Sequence, residues 1–497
     1  MKHLLMLIGI NKLLTLIKRS RCSFLIFLGL ILIFKPAMSA DIKLPLLGDA
    51  SSGTISVQKE YELGQAWLKA YRGRVNENYD PLIRNYLEQL IFKLASKSRL
   101  EDRRIELIVV NNPTLNAFAV PGGVIGIHTG LFTFAKTEDE IASVIAHEIA
   151  HLSQRHFARR LNEQKKNKVV SMAGLLTSLV LAATAGSDAA MAGLSATQTM
   201  GIHSALGYSR QNEREADRLA LQTMIASGMN PNAMSDMFES MLKITRHASY
   251  KIPEWLRTHP QTQERVADAK NRANRLKMKE YSDNFEFHLM KARAVISNNK
   301  DPNLSLNHFK SILRDGRENK DAANYGIVLS HIALKNFTIA KEFVDKLLKK
   351  SPNQIHYKMA EIEIYRHQAK YDNAVKETLT LLKYHPENYP LRMSLAETYL
   401  KANRFFDSEK VLDMLKNSHP NNPEVWFQLA EIRGLAGNIP GVHEARAEYF
   451  ILIGVFSKAR DQLMYARKLL INDYNKKLII DQKIKNLEKI ERGMKNL

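Results

Sequence analysis

The chain reads as a mostly helical α+β domain with a small sheet, followed by an all-α solenoid of helical repeats. Three observations predict this. Apolar residues fall at helical spacing from about Val57 to Leu100 and again from Thr137. Residues 105 to 131 are β-prone, and Pro352, Pro386 and Pro420 stand 34 residues apart. A chain of 497 residues is too long for one hydrophobic core, and 45% hydrophobic content argues against disorder.

The first forty residues read as a secretory signal peptide. Lys18, Arg19 and Arg21 precede the apolar run Ser23 to Phe34, and the small residues Ala37, Ser39 and Ala40 follow. The run is shorter than the roughly 20 residues that span a bilayer, which favours cleavage near Ala40; the long basic start and Lys35 leave retention as an anchor open. The only cysteine, Cys22, precedes the run, so neither a lipid-modified cysteine nor a disulfide framework is expected, and cleavage would leave no thiol for catalysis. Residues 1–40 carry six Lys/Arg and no Asp or Glu, so their removal takes the formal charge from +21 to +15. No nucleic-acid motif accompanies that charge. It suits anionic lipid or acidic clients, or reflects a basic proteome background.

In the second segment, residues 41–280, Leu82, Tyr86, Leu90 and Leu94 mark one member of a helix pair. Ile105, Leu107 and Val109 alternate, and Pro121, Gly122 and Gly123 interrupt two β-prone runs between Ala117 and Leu131, predicting a small sheet with a hairpin. Thr137 followed by Glu140 forms a capping box that opens a helix running past His151. Residues 169–186 form an apolar stretch of borderline length for a membrane span. The preferred reading is a buried or membrane-touching helix ending at Gly186, Ser187 and Asp188.

The polar run from Lys277 to Asp283 separates a third segment, residues 281–497, whose 34-residue period is that of a helix-turn-helix repeat. Ala340, Ala374 and Ser408 each lie twelve residues before the closing proline, and Tyr365 and Tyr399 are equivalent. Small residues where two helices touch and proline at the turn are the spacing of tetratricopeptide repeats, degenerate here because most copies lack the pattern's glycine. Lys476 to Leu497 reads as a charged capping helix.

His147-Glu-Ile-Ala-His151 spells HExxH. Positions i and i+4 of a helix share a face, so two imidazoles reach one ion while Glu148 points at the water to be activated. A catalytic zinc takes three protein ligands and keeps one place open. The candidate for the third is Glu213-Arg-Glu-Ala-Asp217, where Glu213 can turn to the metal and Asp217, on the same face, can hydrogen-bond a ligand histidine, the alternative being a solvated acidic helix face. Two imidazoles and a carboxylate favour Zn2+, one per chain, although ligand type alone does not exclude other divalent ions. The expected chemistry is peptide hydrolysis: the ion polarises the carbonyl, and Glu148 takes the water's proton and passes it to the leaving amine. The expected fold is a zincin-like metalloprotease domain ahead of a tetratricopeptide-repeat solenoid.

HExxH followed by ExxAD resembles the HtpX-type and CAAX-prenyl-type zinc peptidases, in which the first acid of ExxAD, here Glu213, is the third ligand. The stretch from Asn116 to Leu131 is similar to that family's strand beside the active site, whose edge would pair with extended substrate. Thr258-His259-Pro260 with Arg265 is similar to its HP motif followed by an arginine. With the repeats added, nearly the whole mature chain resembles those members of the family that work in the periplasm on outer-membrane assembly. The resemblance implies a periplasmic location, peripheral to the outer membrane, and unfolded proteins as substrates. It also implies outer-membrane β-barrel proteins and their assembly machinery as partners. His259 would be a fourth ligand that holds the enzyme shut, and Arg265 would pair with Asp217. A quality-control endopeptidase leads; a chaperone or scaffold with a shut protease, and a membrane protease spanning at residues 169–186, are the other readings. His128, His156 and His203 are read as ordinary histidines, His156 facing away from the metal because it lies five residues past His151.

Overall fold

The computed structural model describes residues 55–165, 208–246, 253–260, 262–276, 279–316 and 319–495. The signal-peptide reading, the apolar stretch 169–186 and His203 lie outside the described residues.

Two helices open the structure. In α1 (Val57–Arg72) the Ser56 side chain accepts from Lys59 N, and in α2 (Pro81–Lys97) Asp80 accepts from Leu82 N and Ile83 N while Pro81 supplies a first-turn residue with no amide to satisfy. Strands β1 (Glu106–Val110), β2 (Ala117–Val120) and β3 (Val124–His128) then form one sheet in the order β1-β3-β2. The expected hairpin is the antiparallel β2/β3 pair, and β1 runs parallel to β3 in register Glu106 to Val124. The hairpin turn holds Gly122 and Gly123 at φ +83° and +86°, a conformation that favours glycine. It presses so closely on α1 that a Cβ on Gly122 would lie 2.3 Å from the Glu60 carbonyl oxygen.

After the short helix α3 (Gly130–Phe134) comes α4 (Glu138–Ser153), whose every residue from Glu140 to His151 is buried. Thr137 caps it by accepting from Glu140 N, and the Glu140 carboxylate accepts from Lys136 N. Helices α5 (His156–Lys165), α6 (Arg210–Ala226), α7 (Asn232–Arg246), α8 (Glu254–Thr258) and α9 (Gln263–Asn274) complete this half. α4 sits among α2, α6, α7 and β2, so both metal-motif histidines project from a deeply buried stretch of helix.

Helical pairs fill the rest: α10 (Phe285–Asn298) with α11 (Pro302–Asp315), α12 (Lys320–Ala333) with α13 (Phe337–Lys350), and α14 (Ile355–His367) with α15 (Tyr371–Tyr384). They continue as α16 (Tyr389–Lys401) with α17 (Phe405–Ser418), α18 (Pro423–Leu435) with α19 (Ile439–Leu452), and α20 (Phe456–Leu469) with the long closing helix α21 (Tyr474–Lys495). Pro352, Pro386 and Pro420 lie in turns between pairs, and Ala340, Ala374 and Ser408 are fully buried, Ser408 donating to the Ala396 carbonyl at 2.7 Å. Within the pairs, Lys335, Ala369, Asn403 and Gly437 take φ between +57° and +77°. The left-handed turn that favours glycine therefore recurs every 34 residues even where glycine is missing.

The polar segment before α10 is non-helical over residues 279–284, yet one hydrophobic core runs across it from Leu82 to Leu391. Phe287 of α10 stacks on Phe132 of α3, Arg293 pairs with Asp80 at 2.6 Å, and Arg72 of α1 donates to the Asn421 carbonyl. The repeats thus hold the first half of the described chain at both the α2 and α1 sides. Among the described residues no helix is long and apolar enough to cross a membrane.

Candidate active site

α4 and α6 lie side by side, and α8 with the following residues closes over them. Ligand atoms of His147, His151, Glu213 and His259 converge to within 4.8 Å of one another, all four side chains being buried. His147 Nε2 is 3.0 Å from His151 Nε2 and 3.3 Å from His259 Nδ1, and Glu213 Oε1 is 2.9 Å from His259 Nδ1. Three imidazole nitrogens and a carboxylate aimed at one point offer lone pairs in excess of protons, the donor set of a cation.

The electrostatics agree. Burial alone would raise the Glu213 carboxyl, but the facing His259 and His147 outweigh it and hold it well below the usual range. Burial likewise opposes charge on His147, yet Asp217 and Glu213 push it to about 9, while burial and the neighbouring His147 drive His151 far down. The set favours positive charge at its centre, as a metal site does. Among the described residues no other His, Cys, Asp or Glu group converges this way.

Around the donors, Asp217 Oδ1 lies 2.9 Å from His147 Nδ1, on the ring edge opposite the cluster. Arg265 grips Asp217 with two 2.7 Å hydrogen bonds, from Nε and Nη2, and its Nη1 reaches Glu213 Oε2 at 2.9 Å. Burial would raise the Asp217 carboxyl, and Arg265 and His147 reverse that, holding it low. Glu148 points into the same space: its Oε1 accepts from Trp255 Nε1 at 2.9 Å and lies 3.6 Å from His259 Nε2. β2 is an edge strand of the sheet beside α4, and Asn116, just before it, donates to Glu254 at 2.8 Å, tying α8 to that edge.

Each of the seven residues singled out from the sequence therefore lies in one buried cluster. Three neighbours were not singled out for it. Trp255 stacks on His259 with ring centroids 4.9 Å apart, and Tyr208 stacks on His151 at 3.9 Å. His156 is the third, and its placement corrects the helical extrapolation: α4 ends at Ser153 and Arg155 takes φ +49°, so the helical course does not continue to His156. His156 Nδ1 is left 2.9 Å from His151 Nδ1. His128 stands apart, its Nδ1 3.0 Å from Thr114 Oγ1.

A helix-borne HExxH, an acidic side chain from a second helix converging on its histidines and a glutamate alongside are the arrangement of a metallopeptidase. Residues 81–273 match the model of peptidase family M48, and residues 366–431 match that of the tetratricopeptide repeat. The β-barrel assembly-enhancing protease of Escherichia coli O157:H7 is 31% identical over 85% of this chain and 86% of its own length. That of Yersinia pestis is 30% identical over 85% and 87%. The mitochondrial metalloendopeptidase OMA1 of Schizosaccharomyces pombe is 28% identical over 40% of this chain and 55% of its own. The chain belongs to peptidase family M48, as a metalloprotease whose catalytic half is followed by tetratricopeptide repeats.

Proposed function

We propose that this chain is a zinc endopeptidase of the periplasm that cleaves unfolded or stalled outer-membrane β-barrel proteins. The observation carrying the proposal is the convergence of His147, His151 and Glu213 with Glu148 alongside. These three residues would hold zinc, which when bound supplies Lewis-acid polarisation of the scissile carbonyl and acidification of water. Glu148 takes the proton of the attacking water and returns it to the leaving amine. Asp217, braced by Arg265, fixes the His147 ring. Extended substrate pairs with the edge of β2, which gives cleavage a preference for unfolded segments. Residues 1–40 act as the leader, 41–280 carry the catalysis and 281–497 dock on clients or their assembly machinery. The client class follows the relatives' names.

His259 favours a second element of the reading, a site held shut. Its Nδ1 stands within the ligand group, in the place a catalytic site keeps open for water, and Trp255 from the same short segment occupies Glu148. In this state the repeats would act alone, as a chaperone or scaffold for the same clients. Replacing His259 by Ala should raise proteolysis; an unchanged or lower rate would remove the gate.

The test is cleavage of an unfolded protein by the purified chain at measured zinc content, with and without Glu148→Gln. A zinc-dependent activity lost in the variant supports the peptidase. Equal activity in both proteins would refute Glu148 as the base.

A further inference from the structure

His147 and His151 each present Nε2 to the ligand cluster, so each must carry its proton on Nδ1 to ligate in the neutral form. For His147 the partner of that proton is Asp217. For His151 the facing atom is not an acid but another imidazole nitrogen, His156 Nδ1 at 2.9 Å. Two facing imidazole nitrogens make a hydrogen bond only when one is bare. With His151 Nδ1–H as donor, His156 must accept on Nδ1 and carry its own proton on Nε2. The structure supplies an acceptor there: Glu215 Oε2 lies 3.3 Å from His156 Nε2, and Arg159 Nη1 lies 3.2 Å from the same oxygen. His156 is fully buried and Glu215 is at the rim, its side chain 26% exposed.

We propose that His156 and Glu215 form a second positioning arm that sets the tautomer of His151 and thereby the affinity of the metal centre. The proposal rests on the metal reading of the cluster. The chain Glu215, His156, His151 is a carboxylate–histidine–metal arrangement lengthened by one imidazole, and Arg159 anchors its outer end. The lengthening follows from the fold. Glu215 projects from α6 two residues after Glu213 and meets His156 rather than His151, and the turn at Arg155 lays that imidazole between them. Partners of this kind are worth roughly 10- to 100-fold in metal affinity.

The test is metal affinity of the full chain by competition with a chromophoric zinc chelator, together with the visible spectrum of the cobalt(II)-substituted protein. His156→Phe keeps a ring and removes the acceptor, and should weaken metal binding by about 10- to 100-fold and alter the cobalt spectrum. His156→Gln returns an acceptor carbonyl and should recover most of the affinity. Glu215→Leu should weaken binding while Glu215→Gln, which still accepts from His156 Nε2, should stay close to wild type. These rim variants decide the matter if His156→Phe does not fold. Wild-type affinity in His156→Phe and Glu215→Leu, or equal weakening by Phe and Gln at position 156, would overturn the arm and leave the metal reading intact. A wild-type protein that binds neither zinc nor cobalt would overturn both.

Discussion

Trp255→Phe isolates the contact between the closing segment and Glu148. The indole N–H donates to a carboxylate oxygen at 2.9 Å, with both residues no more than 1% exposed, so the bond is charge-assisted and shielded from water. Hydrogen bonds to charged groups contribute about 1.5–3 kcal/mol. If the proposed gate opens by unseating α8, the bond is lost on opening, and its removal shifts that balance toward the open form by roughly 10- to 100-fold at 1.4 kcal/mol per decade. Phenylalanine retains a ring over His259 but leaves the space of the second indole ring, so the shift reports the missing donor together with lost packing on His147 and Phe238. The assay is the initial rate of cleavage of a fluorescent unfolded protein at matched zinc content. A rise of at least several-fold is expected, bounded above by the fraction of molecules already open. The double variant with His259→Ala should gain little further, because both residues restrain one segment. A rate equal to or below wild type, with zinc unchanged, would refute the idea that Trp255 restrains Glu148.

Two further outcomes concern the scaffold. Ala369 holds φ +57° where the repeat favours glycine, so Ala369→Gly should stabilise the repeats by about 0.5–1 kcal/mol, the strain relieved less the added freedom of the unfolded chain; chemical denaturation showing a loss would contradict this. Burial lowers His128 to about 4, below its ordinary 6.5. Between those values the unfolded chain binds the extra proton. The stability His128 contributes is therefore full above pH 6.5 and is lost as pH falls toward 4, at up to about 1.4 kcal/mol per pH unit. The slope of unfolding free energy against pH in that window should be shallower in His128→Gln, and identical slopes would exclude His128 as a source.

The residues of the candidate site are legible in the sequence because their spacing is local. His147 and His151 share a helix face, Glu213 and Asp217 share another, and Thr137 announces the start of α4 in four residues. The repeats were legible through Pro352, Pro386 and Pro420; their left-handed turns were obscured because lysine, alanine and asparagine occupy three of the four positions. Trp255 could not be placed, since its bond to Glu148 joins residues 107 apart and nothing near it in sequence requires such a partner. The place of His156 is hidden for a sharper reason: helical periodicity stops where the helix stops, and Arg155 gives no glycine signal for the turn. The shared core across residues 279–284 was equally hidden, because a polar linker marks a change of composition without revealing what packs over it.

Zinc K-edge absorption of the full chain and of His259→Ala reads out whether His259 closes a zinc site. The wild-type spectrum should fit three nitrogen ligands from histidine with a carboxylate oxygen, and the variant should lose one nitrogen and gain a solvent oxygen. Identical coordination in the two proteins would contradict closure by His259, and a spectrum without histidine nitrogen would contradict the site itself.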